Sequence, residues 1–98
     1  MKELYDKVSL KSSKLLTRTY STSFSIGINL LDKKLHDPIY SIYGFVRLAD
    51  EVVDSFHDYP KEELLEEIRV ETFKAINMGI SVNPVIQSFQ ETVRKYNI

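Results

Sequence analysis

The 98-residue sequence contains no cysteine, which excludes disulfide scaffolds, thiolate zinc sites and cysteine nucleophiles and leaves the redox compartment open. Neither sign of charge prevails: 13 Lys and Arg face 14 Asp and Glu, for a net charge of -1. A chain so balanced does not recruit nucleic acid or an anionic bilayer by bulk charge, and no nucleic-acid partner is expected. No run approaches the roughly 18 apolar residues of a membrane span, and the first residues, Met1 to Asp6, carry acids where a signal peptide has an apolar core. The expected address is therefore the cytoplasm, with peripheral membrane contact left open. Repeats, low-complexity tracts and Gly/Ser linkers are lacking too, so residues 1–98 read as a single piece. With 43% hydrophobic and 28% charged residues, that piece has material for one core.

Three glycines and three prolines leave few breaks, and the apolar residues between them recur at spacings of three and four. The fold class is all-α. Asp37-Pro38 and Asn83-Pro84 each place a side-chain acceptor before a proline suited to a first helical turn, and Tyr59-Pro60 after Asp58 is a looser version. Helices are expected from Lys2 to Thr17, Ser21 to Leu31, Asp37 to Phe56, Pro60 to Met78 and Pro84 to Tyr96. In the fourth, Leu64, Leu65, Ile68, Thr72, Phe73 and Ile76 should face a core, with Gly79 as the stop. In the fifth, Val85, Ile86, Phe89 and Val93 should point inward and Gln87, Glu91, Arg94 and Lys95 outward.

The third helix carries the chemistry. At 100° per residue, Tyr43, Arg47, Asp50 and Asp54 fall within about 60° of arc and form one stripe. Ile39, Ile42, Val46, Ala49, Val53 and Phe56 flank it, Phe45, Leu48 and Val52 lie nearly opposite, and Tyr40, Gly44, Glu51 and Ser55 leave a narrow polar strip. Such a helix should be mostly buried. Two carboxylates four residues apart repel, so burial needs a positive compensator. Arg47, one turn before Asp50, offers an ordinary ion pair as one reading. The other reading turns Asp50 and Asp54 toward a cavity, where aspartate oxygens suit Mg²⁺ bound through one or two carboxylates and the phosphates of a substrate. An apolar surround then suggests a lipid diphosphate.

A second constellation is Thr19-Tyr20-Ser21-Thr22-Ser23-Phe24-Ser25. Ser21 fits an N-cap, and the same crowd of amides and hydroxyls at a helix N-terminus also fits phosphate oxygens. Glu62/Glu66 and Glu63/Glu67 repeat the four-residue carboxylate spacing without the apolar surround and read as a solvated face beside Lys61. His36 and His57, single and near the ends of the third helix, have no second histidine at ligand spacing.

Ser21-Thr22-Ser23-Phe24, Leu30-Leu31 and the run Ile42 to Asp54 (IYGFVRLADEVVD) resemble, in order and spacing, the N-terminal part of the squalene and phytoene synthase family. That family's pattern is S-x-S-F, a leucine pair, Y-x-F-x-R and D-x-x-x-D. The resemblance implies the N-terminal helices of an isoprenoid-synthase-type fold around an apolar cavity. It further implies head-to-head joining of two prenyl diphosphates, farnesyl or geranylgeranyl, in which an allylic cation formed with Mg²⁺ assistance is captured by the second substrate's double bond. By position, Asp50 and Asp54 would hold Mg²⁺ or Mn²⁺, Arg47 and Tyr43 would contact diphosphate oxygens, and Tyr20, Ser21, Thr22, Ser23 and Phe24 would lie over the head group. NADPH would enter only for a squalene-like product. Thr22 stands where a basic residue is common, Glu51 where a second Asp is frequent, and Asp32 where a proline follows the leucine pair. The family's second aspartate-rich motif has no counterpart before Ile98. The expectation is therefore a truncated, catalytically inactive N-terminal portion that self-associates through exposed core. The alternative is a stand-alone helical interaction or dimerisation module.

Overall fold

A computed structural model describes the whole chain, Met1–Ile98. It is built from five α-helices and no strands: α1 (Lys2–Tyr20), α2 (Thr22–Asn29), α3 (His36–Ser55), α4 (Lys61–Met78) and α5 (Pro84–Tyr96), with a 3-10 turn at Lys33–Leu35. The all-α expectation holds, and the boundary differences have local causes. α1 runs on to Tyr20 because the chain turns only at Ser21. Its amide donates back to the Thr17 carbonyl at 2.8 Å while its hydroxyl accepts from the Phe24 amide at 3.2 Å. One extended residue thus closes one helix and caps the next. Asp37 is not a cap, because Asp32 instead caps the 3-10 turn, accepting from the Lys34 amide at 3.1 Å, and that turn runs straight into α3. Asp37 pairs with Lys14 at 3.2 Å. At the other ends the signals act as read: Gly79 adopts φ 78° after α4, and Asn83 accepts from the Val85 and Ile86 amides.

Helices α1, α3 and α5 pack mutually, α4 lies against α5 and α3, and α2 sits across α1 and α3. The seam of the central three is made of small hydroxyl side chains rather than large apolar ones. Ser9, Ser13 and Thr17, spaced four apart, are fully buried on α1. Ser13 and Ser88 hydroxyls share a hydrogen bond at 2.8 Å, and Thr17 and Thr92 each donate to the carbonyl four residues back. Gly44 allows the closest approach: a β-carbon there would lie 2.8 Å from Ser13 Cβ and 2.9 Å from its Cα. Around this seam Ile28, Tyr40, Val52, Ala75, Val85 and Ile86 complete the core, and Phe45 stacks on Phe89 with centroids 4.0 Å apart.

Several facing assignments are corrected. Tyr40 and Gly44, expected in a polar outer strip, lie on the buried side of α3, because the helix is drawn toward α1 by its smallest residue. The same rotation leaves Ile42, Val46 and Val53 exposed, so α3 is not mostly buried. Gln87, expected outward, is fully buried and satisfied: its amide nitrogen donates to Asp6 at 3.0 Å and its oxygen accepts from the Ser81 amide at 2.8 Å. Phe73, expected in the core, is 58% exposed, and Thr72 and Ala75 take the buried positions of α4.

Candidate functional site

The two constellations, about 20 residues apart in the chain, meet in space. Tyr20, at the end of α1, lies against α3 so that the Arg47 guanidinium sits 4.4 Å from its ring centroid. Phe24, in the first turn of α2, stacks on Tyr43 at 4.3 Å with planes 23° apart. The turn at Ser21 therefore lies beside the Tyr43 and Arg47 end of the stripe. Ser21 spends its hydroxyl on the α2 cap, whereas Thr22 and Ser23 are exposed and make no side-chain hydrogen bond.

Arg47 does not pair with Asp50. Its Nη2 donates to Glu51 Oε2 at 2.6 Å, with both side chains about four-fifths buried. The helix geometry favours this choice: Glu51 lies about 40° from Arg47 on the side toward Tyr20, whereas Asp50 lies about 60° away toward solvent. Glu51 was the residue that sequence reasoning passed over, although its i,i+4 spacing from Arg47 was a legible signal. Electrostatics follow from the cluster. The Ser55 hydroxyl first, and then Arg47, hold the Glu51 carboxyl below the usual carboxylate range. Hydrogen bonding to Glu51 pushes the Tyr20 phenol above its ordinary value and the Arg47 guanidinium higher still, with Asp50 and Asp54 adding to the latter. Arg47 Nε is buried without a partner.

Asp50 and Asp54 are exposed, and neither carboxylate takes part in a hydrogen bond or ion pair within the protein. The expectation that both look into a pocket is corrected. They stand on the side of α3 turned away from α1, beside the exposed Ile42, Val46 and Val53, where no other helix packs. What results is an open strip with two uncommitted carboxylates at one end, a guanidinium and an aromatic stack at the other, and apolar side chains alongside. No group of three or more histidine, aspartate or glutamate side chains is placed to hold a metal on its own. Two hard oxygen donors one turn apart fit the partial protein shell that Mg²⁺ accepts when a phosphate supplies the rest.

The other acids and histidines singled out by the sequence lie away from the strip or at its end. Glu62, Glu63, Glu66 and Glu67 are all exposed, and Glu66 pairs with Arg69 at 2.6 Å. His36 hydrogen-bonds the Leu31 carbonyl at 2.9 Å, and His57 meets Lys61, whose ammonium also donates to the Val53 carbonyl near the end of α3. No helix is long and apolar enough to cross a membrane.

No curated protein and no solved structure matches the chain. A family model, squalene/phytoene synthase, matches residues 17–98, a span that takes in the Tyr20–Phe24 turn, the whole of α3 and the two helices after it. With its helical fold and this match over most of its length, the chain belongs to the squalene/phytoene synthase family, a family of transferases.

Proposed function

We propose that the α3 strip binds the diphosphate head group of a prenyl diphosphate, as the first metal-binding half of a head-to-head prenyltransferase site. The observation that carries this reading is the division of the acids on α3. Glu51 is tied to Arg47, while Asp50 and Asp54 have no protein partner. Two carboxylates kept free of internal cations at one turn's spacing have an electrostatic cost that a bound cation removes. Asp50 and Asp54 would hold Mg²⁺, or Mn²⁺. When bound, the metal neutralises charge developing on the diphosphate leaving group.

Arg47, fixed by Glu51 and the Tyr20 ring, would offer the donors that Glu51 does not take to diphosphate oxygens, which suit its planar set. Tyr43, held by Phe24, adds a hydroxyl beside it. Ser21, Thr22 and Ser23 bring the amino end of α2 to the same end of the strip, where the helix dipole favours anions. Ile42, Val46 and Val53 offer apolar surface along which a prenyl chain, farnesyl or geranylgeranyl, can lie. Binding rather than turnover is the activity we assign to these 98 residues, because one carboxylate pair supplies no further metal site.

The test is calorimetric titration of farnesyl and geranylgeranyl diphosphates with and without Mg²⁺. Binding should require the metal and be lost in Asp50→Asn and in Asp54→Asn. Metal-independent binding, or full binding in both variants, would overturn the assignment. The exposed apolar stripe of α3 also favours a second reading, self-association through that face. Sedimentation velocity should then show a dimer that Val46→Asp dissociates, and a monomer at all concentrations would remove this reading.

A further inference from the structure

A second polar feature of the chain lies elsewhere. A cavity of about 420 Å³ opens between α1, α5 and the start of α3. Ser41, on its wall, is nine residues from Asp50, which places the two on opposite sides of α3 and about 13 Å apart along its axis. This cavity is therefore separate from the strip described above, and its assignment does not depend on that reading.

Its floor is made of hydroxyls from all three central helices: Ser9, Ser41, Ser88 and Thr92. Three of these are engaged within the protein, Ser9 with the Tyr5 carbonyl, Ser88 with Ser13, and Thr92 with the Ser88 carbonyl. Ser41 is only 2% exposed as a residue, and its hydroxyl, which keeps a trace of access to the cavity, makes no hydrogen bond within the protein. A hydroxyl so enclosed, with no protein acceptor, is left to bond a ligand or water atom in the cavity.

The charges around the mouth select the sign of that ligand. Each carboxylate on the wall already has a lysine partner, one of them shared: Asp6 and Glu91 both accept from Lys2, at 2.8 and 2.9 Å, and Asp37 pairs with Lys14. Lys33, Lys34 and Lys95 also line the cavity, and none of them has a carboxylate partner. Lys95 is held over the Tyr96 ring at 5.5 Å. Three lysines and three acids line the cavity, and because Lys2 and Lys14 outside the lining bind the acids, the lysines left without a partner are the three on the rim.

We propose that this cavity is a second, metal-independent anion site that takes a phosphate group, with Ser41 donating from the floor and Lys33, Lys34 and Lys95 closing from the rim. Lysine ammonium groups bind phosphate as point charges and a hydroxyl fixes one oxygen. The volume lies within the range of small-molecule sites and exceeds what one phosphate fills, and Leu10, Pro38 and Tyr96 give an apolar wall for an attached carbon group. The occupant is accordingly a phosphate monoester or free phosphate.

Inorganic phosphate and glycerol 3-phosphate serve as probes, titrated by calorimetry and by amide chemical shifts without divalent metal, against chloride at matched ionic strength. Saturable binding is expected, with shifts at Ser41 and Ser88, and tighter binding of the ester would show that the apolar wall is used. Loss of the lysine pair in Lys33→Gln/Lys34→Gln should weaken binding about tenfold, and Ser41→Ala several-fold, about what one or two charge-assisted contacts carry. Asp50→Asn should leave it unchanged, which separates this site from the α3 strip. Shifts equal to those from chloride, binding unaffected by the lysine and serine variants, or binding lost with Asp50→Asn would each overturn the proposal.

Discussion

The two sides of α3 invert the usual relation between polarity and burial. The inner side carries Tyr40, Ser41, Gly44 and Val52, a set of mixed polarity that is almost wholly buried, while the outer side carries Ile42, Val46 and Val53 and leaves them open. Hydropathy alone would have turned the helix the other way. What prevails is close approach: a glycine facing Ser13, and serines and threonines such as Ser13, Thr17, Ser88 and Thr92 that return their hydroxyls to the backbone or to one another, let three helices meet. The outer side keeps apolar and acidic residues together, an arrangement suited to an amphipathic ligand rather than to a core.

The sharpest way to break this contrast is at the helix crossing. Gly44→Ala places a methyl group against Ser13 backbone and should cost about 1–3 kcal/mol of stability by overpacking, measured by urea denaturation. Ser13→Ala removes the Ser13–Ser88 hydrogen bond and leaves a buried hydroxyl, with an expected loss of about 1 kcal/mol in the same assay. On the outer side Val46→Ser, at a position 47% exposed, should change stability by no more than about 0.5 kcal/mol. A cost for Val46→Ser equal to that of Gly44→Ala would refute the distinction between the faces.

A finer probe is the Arg47, Glu51 and Tyr20 cluster. The folded Glu51 carboxyl is depressed, so its contribution to stability is present above the unfolded value and fades as pH falls through the lower folded one. Carboxyl NMR should place the Glu51 titration below the ordinary glutamate range. Glu51→Gln should bring the Tyr20 phenol back down toward its ordinary value, read from its ring resonances at high pH. A Tyr20 titration that does not move would show that Glu51 does not reach the phenol.

Much of this was legible in the chain before folding. The five helices follow from three- and four-residue apolar spacing and from short-range stop and start signals at Ser21, Gly79 and Asn83, which act within one turn and need no distant partner. The common stripe of Tyr43, Arg47, Asp50 and Asp54 is likewise a consequence of helical pitch alone. Which side of α3 meets α1, that Gln87 is buried and Phe73 is not, and that Arg47 turns to Glu51 instead of Asp50 were all settled by tertiary packing. Local periodicity ranks faces by hydropathy, whereas the fold ranks them by how closely backbones can approach while most buried polar groups find partners. That second criterion depends on residues such as Ser13, Gly44 and Ser88, far apart in the chain, arriving at one point.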